Sequence, residues 1–296
     1  MKRRYKIVLG LIIFSLLIYF GFSFIVANEM TKRMAPRLDV SPTHVSENYE
    51  GIEFKAIDDL TLKGWLFKTD SRKLVIMVPG LTQNRINTSY YATSIGKELV
   101  DSGYNLMMYD PRATGLSEGN RVSYGKFEVA DVLGAFEFAK DRGFKPQNTA
   151  ILGDSTGAIT TLIAVDQLNE VGALVIDTAT TNYKPFIIRR LWTEKRIPTF
   201  FAPGIFFFTD TILGLKIGEV KPIEKLSLVP ERRFLYLHGE QDEIFPETES
   251  KKLLESSNSS SKLVIFHNAR HIETFKSDPD LFRKEVLEFL EEELGD

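Results

Sequence analysis

Residues 150–157 read Ala-Ile-Leu-Gly-Asp-Ser-Thr-Gly. An apolar run stops at Gly153, and Ser155 stands between two glycines. Gly, Asp and Ser are common turn residues, so a plain turn is the simplest reading. The alternative is a nucleophile elbow, where a strand turns sharply into a helix and leaves a serine hydroxyl exposed at the top of a sheet. Such a match arises by chance in roughly one chain in ten of this length. The surrounding sequence has to decide.

Continuous apolar runs recur on both sides of that stretch, at residues 74–78, 106–109, 150–152, 173–176, 234–237 and 263–266. Strands buried on both faces of a parallel sheet have this composition. Helical patterns separate them, at residues 89–102, 127–142, 155–168, 247–256 and 280–293. The alternation predicts an α/β fold with a mostly parallel, doubly wound sheet. Residues 52–67 read as a preceding hairpin. Residues 182–230 are too long for a simple connection. Their Phe-rich stretch, residues 200–208, predicts an inserted helical lid that packs on the sheet domain or lines an apolar acyl pocket.

In this context Ser155 follows a buried strand and opens a helix, as the elbow requires. A serine hydroxyl needs an adjacent base. The chain has four histidines, at 44, 238, 267 and 271. His271 is favoured, because a loop beyond a strand's carboxyl end can reach the nucleophile; His267 is still close to its strand. Asp242, also past a strand end, would orient the base, with Glu240 and Glu243 as nearby alternatives. The chain order Ser, Asp, His is that of α/β-hydrolases. The backbone N–H groups of Thr156 and Leu81 would receive the oxyanion, with the Thr82 hydroxyl as a further candidate. Asp110 and Arg112 read as structural turn residues.

From about residue 51 to the end, the chain resembles a serine α/β-hydrolase of the membrane-anchored bacterial branch near the dienelactone-hydrolase-like proteins. The segments that carry the resemblance are Val78-Pro79-Gly80, Asp110-Pro111-Arg112-Ala113-Thr114-Gly115, Gly153-Asp154-Ser155-Thr156-Gly157, His238-Gly239-Glu240-Gln241-Asp242 and His271. The resemblance implies hydrolysis of esters or related acyl bonds without a cofactor. Pro79-Gly80 stands where the family has His-Gly. Asp154 resembles the Gly-Asp-Ser elbow of hormone-sensitive-lipase-like esterases, whose His-Gly-Gly-Gly loop is absent here.

The N-terminus differs from the body. Residues 2–6 are basic, and residues 7–26 are uncharged and mostly Ile, Leu, Phe and Val. Twenty such residues suffice to cross a hydrocarbon core of about 30 Å. The run exceeds the apolar region of about 7–15 residues in a cleavable signal peptide. The expected organisation is a membrane anchor over residues 1–27, a linker over 28–50 and an α/β-hydrolase domain over 51–296, with the lid at 182–230. More Lys and Arg precede the span than follow it, which favours an extracytoplasmic domain. The net charge of −3 gives no nucleic-acid footprint. The chain has no cysteine, which excludes disulfides, thiolate metal sites and a thiol nucleophile. No metal and no cofactor is expected. The leading expectation is a serine hydrolase acting on a small-molecule or lipid acyl ester. A peptidase or amidase on the same triad and a non-catalytic membrane-tethered binding module are the alternatives.

Overall fold

β5 (Thr149–Asp154) is buried along its whole length, and a sheet is built outward from it. The computed structural model describes residues 2–34 and 36–295. Met1 and Asp296, the outer ends of the expected anchor and hydrolase segments, and Ala35 of the expected linker lie outside the described residues. β3 (Leu74–Val78) and β6 (Ala173–Asp177) flank β5 in parallel. β4 (Asn105–Tyr109) pairs with β3, and β7 (Leu235–Gly239) and β8 (Lys262–Phe266) follow β6, all in parallel. The hairpin of β1 (Tyr49–Lys55) and β2 (Thr61–Phe67) joins β4 antiparallel. The order is β1-β2-β4-β3-β5-β6-β7-β8.

The strands are apolar on both faces because both faces are covered. Ile76, Met107, Ile151, Leu174 and Tyr236 face one cluster, with α3 (Val129–Asp141), α4 (Thr156–Ile163) and α5 (Tyr183–Thr193). Val75, Met108, Leu152, Val175 and Leu237 face the other, with α2 (Ala92–Asp101).

Between β6 and β7, residues 182–230 are largely helical. α5 is followed by a continuous helical stretch, Thr199–Ile212. Within it lie α6 (Ala202–Phe206) and a π-helical turn, Phe207–Ile212. α7 (Ile223–Leu226) closes the segment. α8 (Thr248–Glu255), α9 (Thr274–Ser277) and α10 (Pro279–Glu293) complete the chain.

The N-terminal boundary differs from expectation. α1 (Lys2–Thr31) runs past residue 27, and the start of the expected linker is bonded to the domain rather than free. Val122 N–H donates to Thr31 O (2.8 Å) and Met34 N–H to Ala113 O (3.0 Å). The Arg33 guanidinium donates to the carbonyls of Ser117, Gly119 and Gly115. These carbonyls turn inward at the 110–119 loop and need donors, which a linker read only from its composition does not reveal.

Candidate active site

Gly153 and Gly157 are required by contact. A Cβ at Gly157 would stand 2.0 Å from Val78 O, and one at Gly153 would stand 2.7 Å from Ala158 N. The strand and helix therefore meet backbone to backbone. The turn between them falls on Ser155, at φ 49°, ψ −115°. Such a conformation costs a non-glycine residue on the order of 1–3 kcal/mol and persists only when its surroundings over-determine it. Ser155 N–H donates to Asp177 O (2.9 Å), and Ile159 N–H donates back to Ser155 O (3.0 Å). The residue is clamped between β6 and α4.

The clamp aims the hydroxyl at His271. Ser155 Oγ lies 2.9 Å from His271 Nε2, and His271 Nδ1 lies 2.7 Å from Asp242 Oδ2. The other carboxylate oxygen, Asp242 Oδ1, accepts from the amides of Ile244 (2.7 Å) and Phe245 (2.8 Å). That fixes the carboxylate plane and leaves Oδ2 for the imidazole. The Phe245 ring meets the imidazole edge to face at 5.3 Å. The three expected residues thus stand in one chain of hydrogen bonds, from elements that end at the same edge of the sheet.

The alternatives lie elsewhere. His267 is exposed and pairs with Glu240 (3.2 Å). Glu243 uses its carbonyl to accept from Arg189 (2.9 Å). His44 is exposed beside Ser41. His238 is fully buried: Ser250 Oγ lies 2.7 Å from Nδ1 and Phe245 O lies 3.0 Å from Nε2. Burial lowers its pKa below the ordinary 6.5 and outweighs the opposing pull of Asp242. His238 is therefore a neutral strut under the Asp242 loop.

The residues around Leu81 and Thr156, the expected oxyanion donors, were less legible in sequence. Among the described residues, neither the Leu81 nor the Thr156 N–H donates to a protein acceptor. Thr156 begins α4, where a first-turn N–H has no intrahelical partner. Thr156 Oγ1 is occupied by Tyr183 OH (2.8 Å). Thr82 takes a positive φ of 59° as the chain leaves the strand. Asp154 holds this loop. It is buried beside Ser155, and its carboxylate accepts from the Gly80 N–H and from Asn87 Nδ2 (3.3 Å). Burial and the adjacent Asp177 push its pKa well above the usual carboxylate value, against the pull of the Gly80 amide. Gly80 lies close against this carboxylate, since a Cβ there would stand 3.0 Å from Asp154 Oδ2. Asp177 in turn accepts from Thr274 Oγ1 (2.5 Å), three residues beyond His271. The only sequence signal for these links was an acidic residue at the end of each of two adjacent strands.

Asp110 and Arg112, read from the sequence as turn residues, lie in buried ion pairs. Asp110 bonds Arg85 through both oxygens (2.9 and 2.6 Å), and Arg112 pairs with Asp58 and Asp131 (both 2.7 Å). Burial opposes the Arg112 charge, but the two carboxylates outweigh it and raise its pKa. Among the described residues no cluster of side chains is suited to a metal ion. A cavity of about 100 Å³ opens beside Leu81, lined by Met30, Tyr124, Ile187 and Leu191, with Arg190, Glu194 and Lys195 among the surrounding residues.

The sheet order, the elbow and the three-residue hydrogen-bond chain together define a class by architecture, and the chain has the α/β-hydrolase fold. A family model described as serine aminopeptidase, S33, matches residues 69–200. The chain is 27% identical over 225 residues to the uncharacterized protein YqkD of Bacillus subtilis, covering 75% of this chain and 72% of that one. It is 24% identical over 255 residues to YfhR of Escherichia coli O157:H7, covering 81% and 80%. The Pyrococcus furiosus esterase Pf2001 has a similar fold, with a TM-score of 0.75 at 22% identity over 89% of this chain and 99% of that one.

Proposed function

We propose that the protein is a membrane-anchored serine hydrolase that cleaves carboxylic esters through an acyl-serine intermediate. The observation that carries this reading is the hydrogen-bond chain from Ser155 through His271 to Asp242, with distances of 2.9 and 2.7 Å. Ser155 Oγ attacks the ester carbonyl carbon, and His271 Nε2 takes its proton. The carbonyl oxygen becomes an oxyanion held by the Leu81 and Thr156 N–H groups, dipoles already in place before the charge develops. The tetrahedral intermediate then breaks its bond to the alcohol oxygen, which leaves with the proton from His271. Water repeats the sequence on the acyl-serine, giving the carboxylic acid and restoring the hydroxyl. Asp242 keeps the imidazole oriented and stabilises its cationic form. The apolar cavity beside Leu81 would receive the acyl chain.

An esterase among the proteins of similar fold supports the ester reading. The family model's description favours a peptidase on the same residues as the second reading. A panel of p-nitrophenyl esters and aminoacyl-p-nitroanilides tests both against wild type and Ser155→Ala. Ester turnover lost in Ser155→Ala supports the proposal. Turnover of anilides alone favours the peptidase. Unchanged ester turnover in Ser155→Ala refutes the assignment of the nucleophile.

A further inference from the structure

The aromatic lid does not pack only on the sheet domain. Phe201 stacks on Tyr19 of α1 (5.3 Å between centroids) and tilts against Phe22 (4.5 Å). Phe208 meets Phe20 (6.3 Å) and Phe24 (5.3 Å) edge to face. At the centre of this contact a Cβ on Gly204 would stand 2.5 Å from Ser23 Oγ, so the two helices touch at a pair of small residues. That is the usual way helices approach each other within a bilayer. The contact also satisfies backbone groups. The Gly204 N–H, in the first turn of α6, donates to Tyr19 OH (3.1 Å), which donates to Phe200 O (3.1 Å). An N–H left without a partner in hydrocarbon costs several kcal/mol. The anchor therefore caps a lid helix at a place where water would otherwise have to.

Depth follows from position. Tyr19, Phe20, Phe22 and Phe24 belong to the uncharged run of α1. At 1.5 Å per residue they lie about 3–10 Å below its end at Val26. Whatever touches them from the side lies at the same depth. The outward side chains of the lid stretch suit that location, with Phe200 62% exposed, Phe207 46% and Ile212 56%. Asp210 is the one charged residue within Thr199–Ile212, and it turns inward to accept from the Gly218 N–H (3.1 Å). Exposed Trp192, Lys195 and Arg196 precede the stretch and exposed Lys216 follows it, the residue types that favour a membrane interface.

We propose that Thr199–Ile212 is a second membrane-embedded element, buried beside α1 among the acyl chains of one leaflet of a phospholipid bilayer. The proposal rests on reading α1 as a membrane span. The 296-residue chain has no native cysteine, so single cysteines at Leu16, Phe207, Ile212 and Leu228 can each carry an environment-sensitive fluorophore in phosphatidylcholine–phosphatidylglycerol vesicles. Leu228 is exposed near the N-terminal end of β7, at the opposite edge of the sheet from the α1 junction. Labels at 16, 207 and 212 should be quenched several-fold more strongly by doxyl-labelled lipid than by aqueous iodide, with the reverse at 228. If 207 and 212 behave like 228 while 16 is quenched by lipid, the lid proposal is wrong and the span stands. If all four respond to iodide alone, both fail.

Discussion

At the scale of single residues, the site is a set of side chains whose second hydrogen bonds matter as much as their first. Ser155→Ala and His271→Ala should each lower ester kcat by about 10⁴-fold or more, and the double variant little further, because such residues act as a unit. Asp154 gives a sharper test. Burial and Asp177 keep its pKa high, so Asp154→Asn should preserve melting temperature and most of kcat. Asp154→Ala frees the Gly80 loop and should lower kcat at least about tenfold, the order expected when an oxyanion donor is displaced. Equal activity in both variants would remove Asp154 as the positioning residue. His238 sets an acid limit on stability. Its folded pKa lies below 6.5, so below that pH the unfolded chain takes up a proton that the folded chain refuses. Stability should therefore fall as pH drops through and below about 6.5. His238→Gln should show a shallower loss of melting temperature from pH 7 to 5 than wild type; parallel slopes would contradict this.

At the scale of elements, apolar runs bounded by turn residues located all six parallel strands, because burial on both faces leaves an unmistakable composition. The elbow was legible for the same reason that it is strained. Only glycine tolerates the contacts at Gly153 and Gly157, so the pattern is written in residue types. Gly157→Ala should cost about 3 kcal/mol or abolish soluble expression, as overpacking against backbone does, and a near wild-type melting temperature would refute that contact. What could not be read locally were the links between distant segments. Arg33 meets three carbonyls of the 115–119 loop, Tyr19 caps α6, and Thr274 reaches Asp177. None of these has periodicity or a motif, and residues 28–34 looked like linker because a segment's composition does not disclose its partners.

At the scale of the whole molecule, α1 and the α/β-hydrolase body share structure. Ala27 is fully buried in the same cluster as the lid and the sheet. Deleting residues 1–28 would uncover Phe201 and Phe208 and remove the Tyr19 cap. The truncated protein should therefore need detergent to stay monodisperse even though its triad is intact; a monodisperse species without detergent would show that the α1–lid contact is dispensable. If the Lys and Arg excess before α1 sets the orientation as the sequence predicts, protease added to intact cells should digest the body, and full protection would contradict that orientation. The central claim is that Ser155 is the activated nucleophile, and it is tested most directly on the 296-residue chain in detergent. A fluorophosphonate should add once, with the adduct mapped by peptide mass to Ser155 and absent from folded His271→Ala. An adduct on another residue, or none on folded wild-type protein, would contradict the account.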